Sequence, residues 1–310
     1  MKTKINKFVL LFTALLLLGA FFVSRVKVRT MYDGFSKPEL PEAREFQVST
    51  DKLQVELEEE FDGLQENAED DIDTGVDNPS DSDTDGDDKI VAVESTLPHN
   101  EINEAPLSSL PVEYNLAVPF QSQAPFKNWD MPYQEACEEA SLIMADAFFY
   151  KREVTPDIMD RKIQDLVDWQ LKRFGYYKDT TSKEVVEIAQ EYFGLNAFID
   201  EDVSIENIKQ ILSQNKLILV PAAGRILPNP NFTGEGPLYH MLIIRGYTDK
   251  YFITNDPGTR NGEEFLYKYN DLINAIHNWD HNFGTYKDDV IAEKILTGDK
   301  VMIIVDRSDI

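Results

Sequence analysis

Residues 39–104 carry 23 Asp and Glu against three Lys and Arg. A stretch of that composition repels itself and holds too little apolar surface to offset the entropy of ordering it. It is expected to be a disordered acidic linker, so whatever folds must be built around it. Residues 1–38 hold seven basic side chains and one acid, and residues 105–310 carry −12 of the total formal charge of −26. The chain therefore reads as three pieces: a basic, apolar anchor over 1–30, the linker over 31–111, and a body over 112–310 of single-domain size.

In the first piece Lys2, Lys4 and Lys7 precede an uncharged run from Phe8 to Val23, which as a helix spans roughly 24 Å. That is short but possible for a bilayer. A cleavable signal would end in small residues two apart, whereas Ala20 follows Leu18 and the run closes Phe22-Val23-Ser24-Arg25. An uncleaved single-pass helix over 8–23 is expected. Arg25, Lys27 and Arg29 balance the lysines before it, so flanking charge barely sets the orientation. Its place near the start favours an export role with the body extracytoplasmic. Within the linker, Asp81, Asp83 and Asp85 with Gly86 match the opening of a calcium-binding loop, but Lys89 and Ala92 stand where later ligands belong. A solvated linker is the favoured reading there and a weak calcium site the alternative.

The negative charge excludes nucleic acid as the main partner, because a phosphate backbone would be repelled. One cysteine excludes an intramolecular disulfide, a multi-cysteine zinc ribbon and an iron–sulfur cluster. No metal or organic cofactor is expected.

In the body, Ser141 to Tyr150 is apolar at helical spacing with Cys137 at the helix start, and Asp157 to Phe174 places Ile158, Ile163, Leu166, Val167 and Leu171 on one broad face. Ser182 to Phe193 opens on a Thr181-x-x-Glu184 capping box and runs into Gly194, and Ser204 to Gln214 makes a fourth helix. Leu217–Val220, Tyr239–Tyr247, Tyr251–Thr254 and Val301–Val305 read as strands, with a helix from Asn270 to Trp279 between the last two. Helices first and strands later indicate an α+β domain with an antiparallel sheet.

A thiol at a helix N-terminus ionises more easily because unpaired N–H groups stabilise the thiolate. Cys137 is so placed, and a thiol nucleophile needs an imidazole and a group to orient it. Of the four histidines, His99 lies in the linker and His277 and His281 flank Trp279, leaving His240 seated in a strand. His240 could equally be a hydrogen-bonded core residue. Asp256, in Asn255-Asp256-Pro257-Gly258, follows the strand that hairpins with that of His240 through Thr248-Asp249-Lys250. It is either the orienter or a turn residue. Gln121, Gln123 and Gln134 are candidate amide donors to an oxyanion. Trp129 could wall a groove or cap the core, and Gly224 to Pro237 could border the cleft as a movable or a fixed loop.

The segments Val118-Pro119-Phe120-Gln121-Ser122-Gln123-Ala124-Pro125, Trp129, Cys137-Glu138-Glu139-Ala140-Ser141, Tyr239-His240-Met241 and Asn255-Asp256-Pro257-Gly258 together resemble the bacteriocin-processing-like domain, family thirty-nine of the cysteine peptidases, over roughly residues 112–306. The resemblance implies a papain-like cysteine peptidase fold with Cys137 as nucleophile, His240 as general base and acid, Asp256 as orienter and Gln123 as oxyanion donor. Many relatives have Gly after the nucleophile. Here Glu138 and Glu139 occupy the first helical turn, where their charge opposes a thiolate unless the 100° step between helical residues turns them away. Relatives that cleave double-glycine leaders are fused to an ATPase, and this sequence has no G-x-x-x-x-G-K-[ST] loop, so leader cleavage is not implied.

The expected function is a membrane-tethered thiol peptidase acting on peptide or protein substrates through a Cys-His-Asp triad. The alternatives are an inactive papain-like binding or scaffolding module, with Cys137 held as a thiol by Glu138 and Glu139, or a thiol amidase or transpeptidase.

Overall fold

The structure is a computed structural model that describes residues 38–47 and 110–307. The chain divides into two units, Met1–Glu42 and Ala43–Ile310, and the fold belongs to the second. The expected anchor at 8–23, the run Asp81, Asp83 and Asp85, and His99 lie outside the described residues. Among the described residues no helix is long and apolar enough to cross a membrane.

The sheet is antiparallel and α+β as expected, built from β1 (Tyr114–Asn115), β2 (Leu195–Asp200), β3 (Leu217–Ala223), β4 (Tyr239–Tyr247), β5 (Tyr251–Asn255), β6 (Phe265–Lys268) and β7 (Met302–Arg307). Strand order is β2-β7-β3-β4-β5-β6, with β1 paired to the end of β4. Every residue of β3 and β4 is buried, which is why neither alternates apolar with polar; a strand covered on both faces has no solvent side, and His240 and Arg245 of β4 are buried with the apolar residues around them. Gly246 sits at the irregularity between β4 and β5, where a Cβ would lie 2.3 Å from the Tyr114 carbonyl, so only glycine lets β1 come this close.

The helices are α1 (Cys137–Phe149), α2 (Pro156–Arg173), α3 (Ser182–Glu191), α4 (Ile205–Ser213), α5 (Tyr269–Ala275) and α6 (Asp288–Lys294). Each of α2 to α4 starts on a hydroxyl cap: Thr155 accepts from Ile158 N, Thr181 forms a reciprocal box with Glu184, and Ser204 accepts from Asn207 N. Such caps each contribute about 1 kcal/mol. By contrast α1 is apolar nearly all round and buried along its whole length, as a central helix must be. It packs against β4 and α2, and this fixes where Cys137 points.

Two expectations need correction. The helix from Asn270 to Trp279 ends at Ala275: Ile276 becomes extended and bridges Ala222, and His277 donates its N–H to Pro221 O at 3.1 Å. The free edge of β3 captures the backbone that helical periodicity would have continued. Trp279 then packs on Tyr239 and Phe283. The second correction concerns the linker. Arg44 N donates to Asn115 O at 2.9 Å and Ala117 N to Arg44 O at 2.8 Å, while Phe46 is buried edge-on against Phe148 and Phe149. One aromatic ring and two backbone bonds seat residues 43–47 on the domain despite the acids around them. The strands β2 and β6 and helix α6 are further elements that sequence periodicity did not reveal.

Candidate active site

Buried Arg245 on β4 holds the segment that leads into the site. Its guanidinium donates to Leu116 O (2.7 Å), Val118 O (3.1 Å), and the side-chain oxygens of Asn115 (3.1 Å) and Asn255 (3.3 Å). Farther along, Gln123 N and Ser122 Oγ both donate to Pro257 O, at 3.0 and 3.1 Å. The Val118 to Gln123 segment and the Asp256-Pro257-Gly258 turn are thus joined before any catalytic geometry is considered.

His240 lies on β4 and Asp256 just past β5. The imidazole Nε2 is 2.7 Å from Asp256 Oδ1, with both side chains buried. Asp256 Oδ1 also accepts from Gly258 N (3.0 Å), and Oδ2 accepts from Tyr267 OH (2.7 Å) and Asn229 Nδ2 (2.8 Å). Burial alone would raise the Asp256 carboxyl, but His240, Tyr267 and Asn229 outweigh it and hold it below the usual range. Phe232 meets the imidazole edge-on at 5.5 Å. A Cβ on Gly258 would sit 2.8 Å from His240 Cε1, so a side chain there would push the ring off its carboxylate.

Cys137 is the first residue of α1, whose Ser141 Oγ donates to Met241 O at 3.4 Å, one residue beyond His240. Cys137, His240 and Gln123 line one cavity of about 740 Å³, walled also by Trp129, Phe232 and Trp279. Trp129 is 41% exposed, so it walls the groove and does not cap the core. Asn231 to Thr233 and Gly236 to Pro237, from the loop before β4, form part of the same wall.

The thiol donates to Glu138 Oε2 at 2.9 Å, and His240 Nδ1 has no hydrogen-bond partner among the described residues. The 100° helical step does not turn Glu138 away; its side chain lies against the sulfur, held there from the other side by Thr180. Glu138 Oε1 meanwhile accepts from Thr180 N (3.1 Å) and Thr180 Oγ1 (3.3 Å). Burial, then the charge and hydrogen bond of Glu138 and the charge of Glu139, push the Cys137 thiol well up, with the Met241 N–H acting the other way. The helix-terminus advantage is overridden. Glu138 itself is raised well above the carboxylate range by burial, Glu139 and Asp179. Burial raises Glu139 to about 7 against the opposing Gln170 hydrogen bond, and Asp179 is raised to about 6 by burial and Glu135, with Lys178 and His281 opposing.

These raised acids set a direction for stability. A carboxyl whose folded pKa exceeds its unfolded value stabilises fully below the unfolded value and loses that contribution as pH rises through the folded one. Between about pH 4.5 and 7 the Glu139 contribution should decline by a few kcal/mol. Urea midpoints measured across that window should fall more steeply with pH in the native chain than in Glu139→Gln; identical slopes would refute the assignment.

Gln123 is 3% exposed and its Nε2 donates to Tyr133 O (2.9 Å) and Gln134 O (3.3 Å), leaving Oε1 without a partner. To serve an oxyanion its amide must give up the longer bond. Gln121 Oε1 accepts from Ser122 N and does not line the cavity, whereas Gln134, whose Nε2 donates to Glu135 at 3.3 Å, lines it beside Gln123 and Cys137. Of the other histidines, His277 bonds Gly298 O and His281 pairs with Glu184. Asn229 and Tyr267, which fix Asp256, were missed in the sequence, where an Asn in a loop and a Tyr in a short strand carry no distinguishing signal.

Among curated proteins none matches the chain. One solved structure it is similar to is described as a candidate C39-like peptidase from Bacillus anthracis, at 15% identity and a TM-score of 0.37, covering 62% of this chain and 96% of that one. The family model described as the Peptidase_C39 like family matches residues 115–286. That is more than half of the sequence, and it takes in Gln123, Cys137, His240 and Asp256: the chain belongs to the Peptidase_C39 like family and carries a C39-like cysteine peptidase domain.

Proposed function

We propose that this chain hydrolyses peptide bonds with Cys137 as nucleophile, His240 as proton carrier and Asp256 as the group that orients it. The observation that carries the reading is the buried His240–Asp256 pair at 2.7 Å, which commits Nε2 and leaves Nδ1 without a partner among the described residues, on a ring that lines the same cavity as Cys137. In the first step Nδ1 takes the thiol proton as Sγ bonds to the substrate carbonyl carbon. The tetrahedral oxyanion is met by Gln123 Nε2, released from its 3.3 Å bond. Collapse breaks the C–N bond and His240 gives its proton to the leaving amine. Water then attacks the thioester with His240 as base, which frees the acid and restores the thiol. Asp256 stays ionised and holds the ring tautomer throughout.

The bond from the thiol to Glu138 favours the second reading, a binding module, since it keeps sulfur protonated. Turnover decides between them: the full chain incubated with mixed fluorogenic peptides should release amine in a reaction stopped by iodoacetamide. Mass spectrometry of the products separates hydrolysis from transfer to another amine. Peptides bound but never cleaved would leave the module.

The cavity wall includes Glu135, Glu138, Asp179 and Asp288 and no Lys or Arg, which supports neutral or basic peptides as substrates. Cleavage of a lysine-containing peptide should exceed that of its glutamate counterpart by about tenfold in kcat/KM, and the ratio should shrink in high salt. Equal rates would remove the charge argument. The apolar run from 8 to 23 supports attachment to a membrane with the domain outside the cytoplasm, and reporter fusions after residue 38 test that placement.

A further inference from the structure

Glu138 is an odd residue to find against a nucleophilic sulfur. Its two oxygens are differently occupied: Oε1 takes both donors of Thr180, and Oε2 faces Cys137 Sγ at 2.9 Å. A proton added to this carboxyl therefore belongs on Oε2, in line with the sulfur, because Oε1 already accepts two hydrogen bonds. We propose that Glu138 works as a reversible hydrogen-bond partner of the nucleophile. Ionised, it accepts the S–H and keeps the thiol idle; protonated on Oε2, it donates to Sγ and holds the thiolate formed when the thiol proton moves to His240.

The proton balance is simple. The idle arrangement has Glu138 ionised, Cys137 as thiol and His240 neutral, one net negative charge for the trio. One proton taken from solvent, together with transfer of the thiol proton to His240 Nδ1, gives a neutral carboxyl, a thiolate and an imidazolium, with no net charge. In that set the thiolate is offset by the imidazolium, whereas the idle set holds an unpaired carboxylate among buried groups. The groups facing Glu138 agree: Glu139 beside it on α1, Asp179 and Thr180 from the loop before α3, and Tyr239 from β4, whose phenol is pushed up by burial and by Glu138. Lys178 and His281 act on Asp179, and no described Lys or Arg pairs with Glu138.

This rests on the proposed function only for the use made of the thiolate, and alkylation reads the sulfur without any peptide turnover. The rate of iodoacetamide reaction with Cys137 in the full chain is followed from about pH 5 to pH 9.5. The native chain should show a maximum on the acidic side, then a fall of about fivefold before the thiol's own ionisation raises the rate again. Glu138→Gln, whose amide can donate to sulfur while its oxygen still accepts from Thr180, should lose the dip and react about tenfold faster near pH 8. His240→Ala should abolish the acidic maximum. A native rate that climbs as one simple ionisation overturns the proposal even if the variant does not fold. So does a folded Glu138→Gln protein no faster than native near pH 8.

Discussion

Replacing Cys137 with alanine is expected to take peptide hydrolysis down by about 10⁴-fold or more in kcat, to the level of binding and oxyanion contacts alone, while the domain melts within a few degrees of the native chain. The asymmetry follows from the site. Cys137 is 6% exposed and begins a helix whose remaining residues are buried, so the helix does not depend on the sulfur. Losing one buried sulfur costs about 1 kcal/mol, and it also frees Glu138 from its closest partner. Activity assays beside thermal melts check both halves. A Cys137→Ala chain that still cleaves would place the nucleophile elsewhere, and one that unfolds would show that the sulfur is structural. Asp256 should not show that separation.

Asp256→Ala is expected to damage both the fold and the chemistry. The wild-type carboxylate gathers four donors in a fully buried place: His240, Gly258 N, Tyr267 OH and Asn229 Nδ2. Removing it takes the acceptor from His240, Gly258 N and Tyr267 OH and leaves Asn229 only its 3.0 Å bond to Tyr267 OH, and the expected loss is about 3–5 kcal/mol in unfolding free energy. The imidazole also loses the partner that fixes its tautomer, for which a drop of about 10²- to 10⁴-fold in kcat is expected. The pH sign is the reverse of that for Glu139. Because the Asp256 pKa is depressed in the folded chain, its stabilisation is complete above the ordinary carboxylate value and disappears as pH falls through the folded one. Acid titration of unfolding should therefore show a loss at low pH in the native chain that Asp256→Ala lacks. A variant as stable as native at neutral pH would contradict the bonding described.

What was legible in the sequence was legible for local reasons. Thr155, Thr181 and Ser204 announce their helices because a cap acts within one turn. Cys137, His240 and Asp256 stand out because each is a chemically distinctive residue at a recognisable point of an element, and the hairpin between β4 and β5 needs only a short turn. The illegible parts depend on contacts distant in sequence. α5 stops at Ala275 because β3 offers an edge from more than fifty residues upstream. Glu138 could be seen beside the thiol but not its choice of rotamer, which is set by Thr180. Asn229 and Tyr267 matter only because both reach the same oxygen of Asp256.

Phe46 has a consequence for the acidic stretch that follows it. Its ring is seated on Phe148 and Phe149, and the chain is back on the same domain by Pro111, whose carbonyl accepts from Tyr247. Gln47 and Leu110, the described residues on either side of the acidic stretch, thus both belong to the one domain. Between two anchors on one body, each doubling of a flexible connection costs only about 0.6 kcal/mol of closure entropy, so the number of residues between Gln47 and Leu110 should bear little on the stability of the C39-like domain.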